Sequence, residues 1–310
     1  MSLLRPTAQS SGSSRRPGLG RAGSVAVLAA SLLTVGITAA AAGGPTSPPS
    51  NGRIGIDPNA PVATKGDQIP NVSLVSSAIK AYYGDTVVTT EFGTEHYPSP
   101  TGNYAKEITS IQGRASLYLL YRAQAGSGRT VAQPAAAAPD SDNGAKTFTG
   151  RPALVFDVDD TMLNTYNYEI ATNFTYNPVS NGQYVTNEQF PVVSHMQRFV
   201  NAEAAAGYTI FFITGRPEAQ RDATAGNLAK VGVHVPTDAS HLFLKNTTTP
   251  PAYLSCGATC TTIQYKSGTR AYIESQGYDI VADFGDQYSD LAGGSTDATF
   301  KLPNPMYYLP

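Results

Sequence analysis

The sequence has few of the residues on which several common functional sites depend. It contains only two cysteines, Cys256 and Cys260, and four histidines that are scattered without metal-ligand spacing. Two cysteines alone make a poor zinc site, because structural zinc usually takes four Cys or His ligands. We expect surface or core roles for all four histidines, His96, His195, His234 and His241.

Charge of either sign is also scarce. Charged residues make up 14% of the 310 residues, and the formal net charge is −2. A chain without a strong basic excess gives no reason to expect nucleic acid as a partner. Apolar residues make up 41% of the sequence, so an ordinary packed core is possible.

One long apolar run stands out near the N-terminus, "SVAVLAASLLTVGIT", and it precedes the small residues "AAAAGG". Four arginines and no acids come before it. This order predicts a cleaved export signal over residues 1–42 and a secreted protein. The run is short for a transmembrane helix, which needs about 20 apolar residues, so we predict no stable membrane span after cleavage. An uncleaved N-terminal anchor is the alternative, and the pair Arg15-Arg16 leaves twin-arginine export open.

Export permits oxidation, and an even cysteine count favours pairing. We therefore predict a local disulfide between Cys256 and Cys260 that pins a turn. Residues 43–69 are rich in Pro, Gly and Asn, which is typical of a flexible linker. Residues 70–310 then form the predicted folded domain.

Residues 71–85 and 103–126 have helical spacing of apolar positions. From residue 151 the pattern changes to four short apolar runs, "ALVF", "YTIFFI", "HLFL" and "DIVADF", with helix-like segments between them. Alternating strands and helices predict an α/β domain with a mostly parallel sheet. In such sheets ligands bind outside the carboxyl ends of the strands, and each run is followed there by polar residues.

Acids follow the first and last of these runs. Asp157 and Asp159 come after "ALVF", and Asp286 and Asp290 come after "DIVADF". Close carboxylates repel each other unless a cation or a proton intervenes, and oxygen ligands suit Mg²⁺. If the two strands are neighbours, Asp286 can complete a metal site with Asp157. A calcium-binding EF-hand loop is excluded because its sixth and twelfth positions would be Met and Tyr.

A second group of residues suits an anion. Thr214 and Gly215 follow the second run, where a hydroxyl and backbone N–H groups can bind phosphate. Lys266, in "YKSGTR" just before a predicted helix, adds positive charge. Together with a carboxylate nucleophile and a second acid, these residues fit phosphoryl transfer. Thr214 could instead cap a helix, Arg216 could bind phosphate or pair with an acid, and Lys245 is the alternative lysine.

The segments "DVDDT", "FFITGR", "YKSGTR" and "GDQYSDL", in this order, resemble the four motifs of the haloacid dehalogenase (HAD) superfamily. "GYDIVADFGDQYSDLAGG" and the tail "TFKLPNPMYYLP" resemble the secreted acid phosphatases of subfamily IIIB, which are related to plant vegetative storage proteins. The resemblance covers about residues 70–310. It implies a HAD-like Rossmannoid three-layer sandwich with N-terminal helices and a small cap over about residues 164–191.

The resemblance also implies roles for individual residues. Asp157 would be the nucleophile and Asp159 the general acid/base, while Thr214, Gly215 and Lys266 would bind the substrate phosphate. Mg²⁺ would be held by Asp157, the backbone carbonyl of Asp159, and Asp286.

Other positions have a supporting role or an ordinary structural one. Asp290 would support the metal or pair with Lys266. Asp160, where relatives often have Glu, would have a supporting role at the site. Alternatively, Asp160 and Asp290 could each be a solvated loop carboxylate. Four cap tyrosines would stack on an aromatic leaving group or simply pack the cap, namely Tyr166, Tyr168, Tyr176 and Tyr184.

The function expected from this resemblance is a secreted, Mg²⁺-dependent acid phosphatase. It would hydrolyse small-molecule phosphate monoesters through an aspartyl-phosphate intermediate. Two alternatives remain at this point: a storage or binding protein of the same fold with little catalysis, and a phosphotransferase that passes the phosphoryl group to an alcohol.

Overall fold

The computed structural model describes residues 69–126, 139–142 and 147–309. The export signal and all but the last residue of the predicted linker lie outside these residues. Both predicted N-terminal helices are present, as α1 (Val72–Tyr83) and α2 (Asn103–Gly126). A hairpin of β1 (Thr86–Thr90) and β2 (Gly93–Tyr97) connects them.

The α/β part follows α2 along the chain. Its elements are β3 (Ser141–Asp142), β4 (Arg151–Phe156), α3 (Tyr166–Ala171), α4 (Pro178–Thr186), α5 (Met196–Ala205), β5 (Thr209–Pro217), α6 (Arg221–Lys230), β6 (Leu242–Lys245), α7 (Thr262–Ser275), β7 (Tyr278–Gly285), α8 (Tyr288–Leu291) and β8 (Ala298–Lys301). They form a six-stranded sheet in the order β3-β8-β7-β4-β5-β6, in which only β3 is antiparallel to its neighbour. The predicted α/β fold with a mostly parallel sheet is confirmed.

The strand β4 lies at the centre of the sheet, between β7 and β5. Phe156, its last residue, is in register with Phe284 of β7 and Phe212 of β5. The rings of Phe156 and Phe284 stack with centroids 4.5 Å apart. Because strand side chains alternate between faces, Val155 instead joins the second core layer together with Tyr265 of α7. Apolar side chains on both faces fix the register, and the register brings together the residues that follow each strand.

The helix α7 begins earlier than the sequence suggested. Thr261 accepts a hydrogen bond from the Gln264 N–H, and the Gln264 side chain accepts one from the Thr261 N–H, which makes a capping box. Lys266 therefore lies inside α7, and the expectation that it precedes the helix is wrong. The predicted disulfide between Cys256 and Cys260 is present just before this helix.

Residues 164–191, the predicted cap, lie between β4 and α5 and contain α3 and α4. The hairpin supports this segment, because Glu95 of β2 accepts hydrogen bonds from Asn167 at 3.1 Å and Gln189 at 3.2 Å. Among the described residues, no helix combines the length and the apolar character that crossing a membrane requires.

Candidate active site

Three buried acids meet at the carboxyl ends of the central strands. Asp157 directly follows β4, and its N–H donates to the carbonyl of Phe284 at 2.9 Å, so it stays beside the end of β7. Asp286 follows β7, and Asp290 lies in α8. Carboxylate oxygens from Asp157, Asp286 and Asp290 lie within 4.8 Å of one another. The structure thus brings Asp157 and Asp286 together, as the sequence predicts for neighbouring strands.

Lys266 lies among these acids and is only 4% exposed. Its ammonium group contacts Oδ1 of Asp157 and donates to Oδ1 of Asp290 at 2.6 Å. One turn further along α7, Arg270 pairs with Asp283 at 2.9 Å and donates to the Asp290 carbonyl. Because Arg270 lies on the same helix, its bonds to Asp283 and to the Asp290 carbonyl hold α7 in place and help to position Lys266. By contrast, Lys245 donates to the carbonyl of Cys260 at 3.1 Å, so Lys266 is the lysine beside the acids.

The cluster carries more negative charge than Lys266 can balance. Burial raises the pKa of Asp157 well above its usual value, although the Lys266 charge opposes this. Burial, followed by the charges of Asp290 and Asp160, raises the pKa of Asp286 to about 8. Burial alone would lower the pKa of Lys266, but the charges of Asp157 and Asp290 raise it above its ordinary value. Crowded carboxylate oxygens of this kind fit a hard divalent cation, which would relieve their repulsion.

Asp159 lies in a different environment from Asp157. Its carboxylate is 30% exposed and forms a two-point ion pair with Arg216, with Nη2–Oδ1 at 2.6 Å and Nε–Oδ2 at 3.0 Å. Arg216 is itself held by Thr224, whose hydroxyl accepts from Nη1 at 3.1 Å. Of the two roles left open for Arg216, pairing with an acid is the one observed. The arrangement fixes Asp159 while leaving part of its carboxylate open to solvent.

Thr214 and Gly215 lie near the end of β5, the strand next to β4. The Thr214 hydroxyl is buried and accepts from the Arg216 N–H at 3.2 Å. Since β5 continues to Pro217 and α6 starts at Arg221, Thr214 is not a helix cap. Gly215 is exposed, and a Cβ atom at this position would meet no heavy atom within 4 Å. The backbone here is therefore open to an approaching anion.

Asp160 is not a solvated loop acid, and that alternative is wrong. It is completely buried with φ of 53°. Its Oδ2 accepts from the Thr165 hydroxyl at 2.5 Å and from the Tyr307 hydroxyl at 2.8 Å. Burial raises the pKa of Asp160 to about 7, although the hydrogen bonds from Thr165 and Tyr307 oppose this. Asp160 thereby connects the loop after β4 with the start of α3 and with the C-terminal tail. Asp290, at 4% exposure, is also not a solvated loop acid.

The C-terminal tail, residues 302–309, contributes directly to the site, and sequence reasoning missed this. Asn304 donates to Oδ2 of Asp286 at 2.7 Å, and Gln287 donates to the same oxygen at 2.7 Å. Oδ1 of Asp286 receives only a 3.4 Å contact from the Thr161 hydroxyl. Asn304 of the tail and Gln287 therefore fix Oδ2 of Asp286, and among the described residues Oδ1 has only this long contact. The only sequence signal was the resemblance of the tail to a family, which carried no role for its residues.

The four tyrosines of the predicted cap mostly pack within that segment and against the core. Tyr166 and Tyr168 are completely buried, and Tyr166 stacks on Tyr83 with ring centroids 4.5 Å apart. Tyr184 is partly buried against the same core, whereas Tyr176 is 68% exposed. Of the four, Tyr176 is the one whose ring is mostly available to a ligand.

Comparison with known proteins agrees with the family that the sequence motifs resemble. Residues 102–310, more than half of the chain, match the profile of the family described as HAD superfamily, subfamily IIIB (acid phosphatase). Acid phosphatase 1 of Solanum lycopersicum is 34% identical over 164 residues, which cover 52% of this chain and 60% of that protein. Vegetative storage protein 1 of Arabidopsis thaliana is 31% identical over 160 residues, covering 50% of this chain and 55% of that protein.

The chain thus spans less than two thirds of the length of these two relatives. A solved structure, the class C acid phosphatase from Bacillus anthracis with tungstate bound, is 20% identical to this chain. The match has a TM-score of 0.47 and covers 66% of this chain and 80% of that one.

Proposed function

Since the chain belongs to subfamily IIIB of the HAD superfamily, the acid phosphatases, we propose that it hydrolyses phosphate monoesters of small molecules at the Asp157 site. One observation carries the proposal. The buried Lys266 joins Asp157 to Asp290, and Asp286 lies within 4.8 Å of both acids. A phosphoryl group needs positive charge and a nucleophile at one place, and this cluster offers both.

In the first chemical step, Asp157 is the nucleophile. A carboxylate oxygen forms a bond to phosphorus, and the bond from phosphorus to the alcohol oxygen breaks, which gives an aspartyl phosphate and the free alcohol. Lys266 offsets part of the negative charge of Asp157 and Asp290, which lowers the repulsion that an approaching phosphate dianion meets. The Thr214 hydroxyl and the backbone N–H of Gly215 donate to the phosphoryl oxygens.

Asp159 acts as the general acid and then as the general base. It protonates the departing alcohol oxygen in the first step. In the second step it takes a proton from the water that attacks the aspartyl phosphate, which releases inorganic phosphate and regenerates Asp157. Arg216 holds the Asp159 carboxylate at two points, which supports a fixed orientation for proton transfer.

We further propose that Mg²⁺ is the cofactor. The side chains of Asp157 and Asp286 and the backbone carbonyl of Asp159 would hold the cation, and Asp290 would support it through Lys266. A bound divalent cation supplies charge that neutralises the acids and the phosphoryl oxygens. Two observations support this assignment. The three acids carry more negative charge than Lys266 balances, and Oδ1 of Asp286 has a single contact of 3.4 Å among the described residues.

Secretion is part of the same proposal. The predicted signal over residues 1–42 would direct export, and the disulfide between Cys256 and Cys260 suits an oxidising compartment.

The proposal is tested by hydrolysis of phenyl phosphate with Mg²⁺ and with a chelator. Asp157→Asn is expected to lower kcat by at least about a thousandfold, because nucleophile removal eliminates the covalent route. The control is Asp238→Asn, which changes a 61% exposed carboxylate that pairs only locally, with Ser240 and His241. Circular dichroism would verify the fold of both variants. Full activity of Asp157→Asn would refute the assignment, and an inactive wild type would favour a storage role.

A further inference from the structure

A second cavity lies at the amino ends of the strands, at the opposite edge of the sheet from Asp157. This amino-end cavity has a volume of about 490 Å³, which is in the range of cavities that bind small molecules. Residues near the starts of β4 to β7 and in the last part of α7 line it, among them Arg151, Phe211, His241, Phe243, Tyr272 and Tyr278. Since Arg151 opens β4 and Asp157 follows that strand, the two positions are roughly 20 Å apart at the rise of an extended chain.

The walls of the amino-end cavity are aromatic. Tyr278 meets the buried Phe211 edge to face with ring centroids 4.8 Å apart, and the His241 ring lies parallel to Phe211 at 5.4 Å. Phe243 and Tyr272 form a second edge-to-face pair at 6.3 Å. Phe243, Tyr272 and Tyr278 are partly exposed, so a ligand can reach their rings. Rings that hold one another in this way offer faces and edges to a planar aromatic ligand.

Arg151 supplies positive charge at the rim of the amino-end cavity. Its exposed side chain lies over the Tyr278 ring, with Cζ 3.9 Å from the ring centroid. Nη2 donates to the Gln276 carbonyl at 3.1 Å, which is the one hydrogen bond of this guanidinium group within residues 69–126, 139–142 and 147–309. Because a guanidinium group has five N–H donors, Arg151 keeps donors for a ligand while the ring and the carbonyl hold it in place.

The charge balance of the amino-end cavity favours an anion. No carboxylate of the described residues lines it. The acid next to it in sequence, Asp238, accepts from the Ser240 N–H at 2.8 Å and contacts Nδ1 of His241 at 3.1 Å. In the described part of the chain Arg151 pairs with no acid, so its charge is available to a ligand of opposite sign.

We propose that the amino-end cavity is a second ligand site that binds a planar aromatic carboxylate. The ring of the ligand lies among Phe211, Phe243 and Tyr272, and its carboxylate accepts charge-assisted hydrogen bonds from Arg151. The inference does not depend on the proposed phosphatase function, because the amino-end cavity and Asp157 lie at opposite edges of the sheet.

The test is a titration of the full-length protein with 2-naphthoate, followed by the fluorescence of this probe. The chain contains no tryptophan, so the protein adds no tryptophan emission. Two analogues then compete with the probe: 2-naphthamide keeps the shape and loses the charge, whereas decahydro-2-naphthoate keeps the charge and loses the aromatic rings. 2-Naphthoate should bind roughly tenfold more tightly than either analogue. Saturating inorganic phosphate with Mg²⁺ should not displace it.

Arg151→Gln should bring the affinities for 2-naphthoate and 2-naphthamide to within about twofold of each other, because the charged donor is gone. The matched control is Arg198→Gln, which removes an exposed arginine from α5, a helix that packs in the other core layer. It should keep the wild-type preference for the acid. Equal effects of the two substitutions would contradict the assignment of Arg151.

A second pair of variants covers the case in which Arg151→Gln folds poorly. Ala239→Glu and Ala239→Gln place side chains of equal size at an exposed residue that lines the amino-end cavity. Only glutamate adds negative charge, so it should weaken 2-naphthoate binding by about threefold or more relative to glutamine, with equal binding of 2-naphthamide. The inference is overturned if 2-naphthoate shows no saturable binding up to about 1 mM, or binds no more tightly than the amide. Displacement by phosphate would also overturn it, because the probe would then occupy the Asp157 site.

Discussion

Replacing Lys266 by methionine tests the electrostatics of the cluster most directly. The change keeps an unbranched side chain that is one atom shorter, with a sulfur in place of the δ-methylene, and removes the ammonium group. Asp157 and Asp290, which are 6% and 4% exposed, would then be buried next to Asp286 without their shared cation. Breaking a buried ion pair by removing one partner typically costs about 3–5 kcal/mol, because the remaining charge stays desolvated.

The magnitude of this loss should depend on pH, because a proton can replace the lost cation. Protonating an aspartate costs about 1.4 kcal/mol per pH unit above its ordinary pKa of about 3.9. At pH 5 this limits the loss to about 1.5 kcal/mol for each carboxyl group. At pH 8 protonating the aspartates costs more than leaving them charged, so we expect the full loss of about 3–5 kcal/mol. The variant should therefore be most strongly destabilised in mildly basic solution.

Urea unfolding with a chelator present would measure this loss. With an m value of about 3 kcal/mol/M, a loss of 3 kcal/mol lowers the midpoint by about 1 M. Lys245→Met is the matched control, since within the described part of the chain that half-buried lysine donates only to a backbone carbonyl. With Mg²⁺ restored, kcat/KM for phenyl phosphate should fall by about a hundredfold or more in Lys266→Met alone. Equal stability of the two variants at pH 8, with equal activity, would refute this account of the cluster.

Three further predictions concern the tail, the pH dependence and the disulfide. Asn304→Ala removes a 2.7 Å hydrogen bond to Asp286 and should raise the Mg²⁺ concentration for half-maximal activity about tenfold; an unchanged metal titration would contradict this role. Without metal, the melting temperature should fall as pH rises from about 4 to 8. Asp160 and Asp286 have folded-state pKa values of about 7 and 8 against about 3.9 unfolded, so the folded state binds more protons in this window, and its stability is lost as they dissociate. Added Mg²⁺ should remove most of this decline, and a flat chelated profile would argue against the charge excess. Replacing both Cys256 and Cys260 by serine, which opens a loop with a sequence separation of four, should cost about 2 kcal/mol in chemical unfolding and leave kcat within about twofold.

The sequence predicted the central part of the fold well because apolar runs fill both faces of the sheet. Each of the four apolar runs forms a strand, from β4 to β7. Short continuous apolar runs that end in turn residues are typical of the buried strands of a parallel sheet. The hairpin β1–β2 was not predicted, because "TVVTT" and "GTEHY" are short and mostly polar. The strand β8, which pairs with β3 and β7, was also not predicted, because its residues "ATFK" contain no continuous apolar run.

At the site, the sequence predicted which side chains follow the strands and left open which of them would pair. Asp157 and Asp286 lie close together because β4 and β7 are neighbours in the sheet. The order of the motifs along the chain suggested this neighbourhood but did not establish it. The two-point bond from Arg216 to Asp159 depends on how β5 continues past Thr214, and no local pattern encodes that path. Long-range contacts of this kind are specified by the packing of the whole core and not by the residues adjacent in sequence.

The tail exposes the site to damage at residues far in sequence from Asp157, the proposed nucleophile. Asn304 and Tyr307 reach back across the strand ends to Asp286 and Asp160. Proteolytic trimming after Leu302 would remove both anchors and leave every strand intact. A clipped molecule would keep its strands but lose the contacts that orient Asp286 and Asp160, so measurements of intact protein mass should accompany any assay of its specific activity.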